Sequence, residues 1–237
     1  VAISFVAKAT ATASSIGTTS LACSVPTGTA DDDVMIALIS RASSASTVNT
    51  PSGWTVLPGF PAQNTNGTTL CGFYRVAASE PGSYTWSGSA QKWCIAVSSY
   101  RGVDTSTPIN DSAAAVDTTS RAAHASPSVT TTIADCWIAT GYCDRGIASA
   151  STWSTPSGLT SRSGNLTTTG SNCVSLATFD TNTDEPTGSY SYTSTASASQ
   201  SNACMGTIAL TPAGAIVAAP QAVPLILRQA VARSTLR

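Results

Sequence analysis

Two short motifs recur along this chain in the same order and at the same interval. Thr50-Pro51-Ser52-Gly53-Trp54-Thr55 returns as Thr155-Pro156-Ser157-Gly158-Leu159-Thr160. Glu80-Pro81-Gly82-Ser83-Tyr84-Thr85-Trp86 returns as Glu185-Pro186-Thr187-Gly188-Ser189-Tyr190-Ser191-Tyr192. The interval from Pro51 to Pro156 equals that from Glu80 to Glu185. Ahead of each Pro-Ser-Gly an acidic residue leads into an apolar run, Asp33-Val34-Met35-Ile36-Ala37-Leu38 and Asp135-Cys136-Trp137-Ile138-Ala139-Thr140. Such repetition means one supersecondary unit used twice. We therefore expect two related halves of four or five strands each.

The runs between the motifs have strand character. Segments rich in Val, Ile, Thr, Tyr and Trp lie at 34–40, 69–77, 84–87, 92–100, 128–133, 136–142, 173–179, 189–193 and 204–211, bounded by Gly, Pro, Asn, Asp and Ser. No long segment places apolar residues at helical spacing. The expected class is all-β. Residues 111–126 contain no Pro- or Gly-rich linker, so they read as a crossover between halves. The preferred architecture is one two-sheet jelly-roll sandwich over 1–212, with halves of about 1–110 and 111–212. Two separate small sandwiches are the alternative.

From residue 213 the text changes. It carries Pro220 and Pro224, which break a helix, no acid, and Arg228, Arg233 and Arg237. Val223, Leu225, Ile226 and Leu227 form an apolar strip that would be an aggregation hazard if exposed on a free monomer. We read 213–237 as an extended C-terminal arm whose partner-binding residues are Val223, Leu225, Ile226, Leu227, Arg228, Arg233 and Arg237.

Composition narrows the function. Charged residues are 10% of the chain and the net charge is −1, while Ser and Thr number 36 each. That balance gives no electrostatic footprint for nucleic acid. It also gives little self-repulsion, which suits a place in an assembly, on a particle or outside the cell. No apolar run reaches the ~20 residues of a membrane helix, and no signal peptide is visible.

The seven cysteines show no Cys-x-x-Cys, and His124 is the one histidine. Neither a zinc site nor another cofactor or metal site is expected. The cysteines sit in apolar runs and read mostly as buried thiols. Cys71–Cys94 and Cys173–Cys204 are the disulfides to test. A Ser-His-Asp set would have to use His124, which reads instead as a surface or interface residue. Glu80 and Glu185 occupy equivalent turns, whereas a catalytic carboxylate pair needs unlike environments. Asp31-Asp32-Asp33 reads as a solvated turn rather than a cation site, since successive strand residues diverge. No catalytic residue is expected, and the chain reads as no enzyme. Trp54, Trp93 and Trp137 read as core, whereas Trp86 and Trp153 are candidates for stacking on a glycan.

One run resembles a known module. Pro51-Ser52-Gly53-Trp54-Thr55, Phe73-Tyr74-Arg75-Val76-Ala77, Glu80-Pro81 and above all Ser99-Tyr100-Arg101-Gly102-Val103-Asp104-Thr105-Ser106-Thr107-Pro108-Ile109 resemble a β-sandwich module of tailed-phage virion proteins and some bacterial surface proteins. The resemblance spans about residues 1–212 and excludes the arm. It implies a virion structural protein without catalytic residues, made in the host cytoplasm. Such a protein would be a capsid decoration or minor tail component on the capsid or tail surface. The implied partners are the major capsid protein or other virion proteins and further copies of the chain, with no nucleic acid and no membrane. A carbohydrate-binding adhesion module of a phage tail or bacterial surface protein is the alternative.

Overall fold

The protein is described by a computed structural model that covers residues 2–44 and 48–214. Its first half contains β1 (Ser4–Ala13), β2 (Ser20–Ser24), β3 (Val34–Arg41), β4 (Val48–Asn49), β5 (Thr55–Val56), β6 (Ala62–Asn64), β7 (Thr68–Val76), β8 (Ser83–Gly88) and β9 (Trp93–Arg101). Its second half contains β10 (Ile109–Asp117), β11 (Arg121–Ala125), β12 (Val129–Thr131), β13 (Trp137–Cys143), β14 (Arg145–Gly146), β15 (Thr160–Thr167), β16 (Cys173–Asp180), β17 (Gly188–Tyr190), β18 (Thr193–Gln200) and β19 (Ala203–Leu210). All pairing is antiparallel, and no helix occurs among the described residues.

The all-β sandwich of two related halves stands, and each half completes the winding by itself. In the first, β1-β9-β3-β7-β5 form a principal sheet, with β6 also on β7, while β2-β8-β4 form a smaller outer sheet. In the second, β10-β19-β13-β16-β14 form the principal sheet, with β15 also on β16, while β11-β18 and β12-β17 form the outer layer. In each half the chain passes repeatedly from the principal sheet to the outer layer and back, and the first and last strands lie side by side. That is the winding of a jelly roll, present twice. Residues 111–126, expected as a crossover, are instead most of β10 and all of β11. The small, half-buried residues of β10 hide its strand period.

The two principal sheets pack face to face. β1 lies on β15 and, equivalently, β10 on β6; β9 lies on β16 and, equivalently, β19 on β7. Each of these contacts has a mate related by exchange of the halves, as in an isologous two-fold interface. Because both faces of a principal sheet are covered, its strands β3, β13, β16 and β19 are buried at every position. In β3, Val34, Ile36 and Leu38 enter the seam between the halves, whereas Met35, Ala37 and Ile39 enter the outer core. In β19, Cys204, Ile208 and Leu210 face the seam, and Ala203 and Met205 face outward.

The repeated motifs end up in matching places. Gly53 and Gly158 both have φ of 80°, the left-handed region glycine favours. Trp54 N donates to Pro51 O at 3.2 Å and Leu159 N to Pro156 O at 3.1 Å, closing equivalent turns. Trp54 and Leu159 each then plug the outer core of their own half.

At the seam, bulk on one sheet meets glycine on the other. Leu38 lies where a Cβ on Gly141 of the other half would sit, and the Phe60 ring lies where a Cβ on Gly206 of the other half would sit. Replacing Gly206 by Ala should therefore lower the unfolding free energy by about 1–3 kcal/mol through overpacking. Replacing Gly82, whose Cβ would meet nothing within 4 Å, should stay within about 0.5 kcal/mol. Urea denaturation of both variants checks the contrast.

Candidate interaction sites

The seam holds one buried ion pair. Arg162 on β15 donates to Asp180 on β16, from Nε at 2.6 Å and Nη2 at 2.7 Å. Tyr100 Oη on β9 of the other half donates to Asp180 Oδ2 at 3.1 Å. The Arg162 guanidinium lies over the Phe5 ring of β1, 4.0 Å from its centre. Burial raises the Asp180 pKa, and the hydrogen bonds of Arg162 and Tyr100 work against that rise. Tyr100→Phe should cost about 1 kcal/mol as one hydrogen bond is lost. Asp180→Ala should cost about 3–5 kcal/mol, because it strands a buried guanidinium. Chemical unfolding of the two variants measures the difference.

The Tyr100–Ile109 run, the most specific part of the resemblance, lies where the described chain leaves the sandwich. Gly102 has φ of 78°, and a Cβ there would overlap the Ala2 carbonyl oxygen. Asp104 Oδ1 accepts from Ser106 N at 2.9 Å and Thr107 N at 2.8 Å, the local turn its sequence suggests. Asp104 N donates to Thr211 O at 2.8 Å, Ala213 N donates to Gly102 O at 2.7 Å, and Val103 bridges Pro212. The end of the second half is thus held on the loop that follows the first. The partner-binding residues expected in the arm, Val223 to Leu227 with Arg228, Arg233 and Arg237, lie outside the described residues.

Both expected glycan-stacking residues are buried, which corrects that reading. Trp86 is fully enclosed, edge-on to Trp54 at 5.3 Å. It points inward from β8, the central strand of its outer sheet. Trp153 is enclosed by Tyr142 at 5.6 Å and His124 at 5.7 Å, and its Nε1 donates to Ser175 Oγ at 2.9 Å. Its backbone bridges Ala196 of β18, so it closes the second outer core. Neither ring has a free face for a sugar.

His124 is also buried, not at the surface as expected. It sits on the inner side of β11, with Nδ1 3.0 Å from Asp117 Oδ2 and Nε2 2.9 Å from Arg121 O. Both nitrogens face acceptors, the Asp117 carboxylate and the Arg121 carbonyl. Burial would raise the Asp117 pKa, but hydrogen bonds from Arg121 Nε at 2.6 Å, Thr119 N and His124 outweigh it and hold the carboxyl below its usual range. A folded pKa below the unfolded value of about 3.9 stabilises above that pH, and the stabilisation is lost as pH falls through the folded value. The stability gap between the wild type and Asp117→Asn should therefore be full at about pH 5 and narrow steadily towards about pH 2. Denaturant melts at each pH read it directly.

Glu80, Asp31 and Asp33 serve turns and the ion pairs beside them. Glu80 accepts from Arg75 Nε at 2.7 Å, Ala78 N at 2.9 Å and Tyr84 Oη at 2.6 Å. Asp31 Oδ1 accepts from Ser79 N at 2.7 Å, and Asp33 pairs with Arg101, so the aspartates of the triplet diverge. The seven cysteines are free and buried. Cys71 faces the first outer core and Cys94 the seam, on opposite sides of one sheet. Cys173 and Cys204 lie on β16 and β19 with β13 between them. Neither pair can bridge. Burial pushes the Cys71 and Cys94 thiols up to about 12. Sequence reasoning missed the Arg162–Asp180–Tyr100 set and a polar groove at the seam around Arg145, because each is assembled from both halves.

The chain matches no protein-family model, no curated protein and no solved structure.

Proposed function

We propose that this chain is a structural protein of a virus particle, a capsid decoration or minor capsid protein that binds the capsid lattice through its C-terminal segment. The observation that carries the reading is the junction at Gly102–Asp104. The run that resembles tailed-phage modules is the one that clamps Thr211–Ala213, so whatever follows Gly214 starts from a fixed point on a rigid body. The sequence beyond it combines the Val223–Leu227 strip with three arginines and no acid. Such a segment suits an apolar groove with acidic neighbours on the major capsid protein or on another copy of the chain. The body supports the same reading through its double sandwich and weak net charge, properties of a scaffold held in a lattice. The alternative, a glycan-binding adhesion module, loses its expected stacking residues, since Trp86 and Trp153 are enclosed.

Quantitative mass spectrometry of purified particles should find the chain in a fixed ratio to the major capsid protein. Ending the chain after Gly214 should leave its melting temperature nearly unchanged and abolish its binding to particles. Absence from particles, or full binding by the shortened chain, overturns the proposal.

A further inference from the structure

A polar groove of roughly 560 Å³ runs along the seam, lined by Ser43, Ser44, Thr65, Asn66 and Gln91 of the first half and Arg145 of the second. Arg145 is held there from two sides. Its backbone is clamped by Asn202, whose Oδ1 accepts from Arg145 N at 3.0 Å and whose Nδ2 donates to Arg145 O at 2.7 Å. Its guanidinium lies against Gly67, where a Cβ would collide with it; Gly67 has φ of 104°. The other described arginines, Arg41, Arg75, Arg101, Arg121 and Arg162, each donate to a carbonyl or carboxylate. The Arg145 guanidinium makes no hydrogen bond or ion pair among the described residues. Ordering and half-burying an arginine costs side-chain entropy and solvation. Here no acceptor within the described fold offsets that cost.

We propose that the groove binds a saccharide bearing a carboxylate, with Arg145 holding the carboxylate and the groove's amides and hydroxyls holding the sugar. A guanidinium matches a carboxylate with two parallel hydrogen bonds. Asn66 donates through Nδ2 to Ser201 O at 2.7 Å, which leaves its Oδ1 to accept from a sugar hydroxyl. The Gln91 amide in the same lining supplies both a donor and an acceptor. The lining has no carboxylate to repel an anion and almost no apolar surface. This favours a polyhydroxylated ligand over a peptide, which needs apolar anchors. The size is that of a small-ligand site. The site goes beyond the particle role proposed above and does not depend on the C-terminal segment.

The test is calorimetric titration of the full chain with di-galacturonic acid, with neutral digalactose, with inorganic sulfate and with a short polyglutamate peptide. The diuronide should bind with a Kd of about 1 mM, and digalactose at least about tenfold more weakly. Arg145→Gln should weaken diuronide binding by about tenfold or more and leave the melting temperature nearly unchanged, since the guanidinium makes no internal bond. Should that variant not fold, Gln91→Ala in the same lining should weaken the diuronide severalfold. Absence of diuronide binding, equal binding of digalactose, or wild-type affinity in the variant overturns the proposal. So does sulfate or polyglutamate binding as tightly as the diuronide, which would make the groove a general anion site.

Discussion

The face-to-face packing of the two principal sheets is the constraint on which the rest depends. Each half could cover only one side of its principal sheet with its own outer strands. The other side, with Val34, Ile36 and Leu38 in one half and Trp137, Ile208 and Leu210 in the other, stays dry only because the halves cover each other. Interdigitation fixes how they meet. Leu38 against Gly141 and Phe60 against Gly206 leave little freedom to slide, since interiors pack near crystal density. The paired contacts show that the halves meet by the same surface, as two copies of one subunit would.

The seam also gathers the buried polar chemistry that ties the halves together. Tyr100 reaches Asp180, Arg162 stacks on Phe5, and Asn64 Nδ2 donates across to Asp117 O at 3.0 Å and Ala203 O at 3.2 Å. The thiols join in, with Cys94 donating to Val174 O at 3.6 Å and Cys204 to Thr68 O at 3.4 Å. These directional bonds are made in one register only and reinforce the register that the interdigitation sets. The chain exit depends on the same arrangement. Residues 211–213 can be held on the Gly102–Asp104 loop only because the second half has docked on the first.

The candidate sites fall into two kinds by what creates them. The C-terminal segment was marked by composition, and the structure adds the fixed point from which it starts. The polar groove around Arg145 had no local signal. Ser43, Asn66, Gly67, Gln91 and Arg145 are unremarkable along the chain and become a site only when three loops of one half approach a short strand of the other. The glycan-stacking reading of Trp86 and Trp153 failed for a related reason. Trp86 lies in a short polar strand and Trp153 in a polar connection with a single bridge to β18, and which side of such a segment is covered depends on the layer across from it. His124 was misread in the same way, among small residues that turned out to border the second outer core.

What the sequence determined by itself is the local and repeated part. Short β-branched and aromatic runs set the strands, Pro-Ser-Gly and Glu-Pro set the equivalent turns, and their common interval set the two-fold plan. These are properties of neighbouring residues, decided by backbone sterics and turn chemistry. What only the tertiary structure decided is which faces meet. A strand such as Val34–Arg41 is apolar on both sides, so its text is the same whether two layers or four are stacked. The completion of a jelly roll within each half, the stacking of the principal sheets and the seam groove all follow from long-range packing between residues far apart in the chain, across the seam often more than a hundred positions.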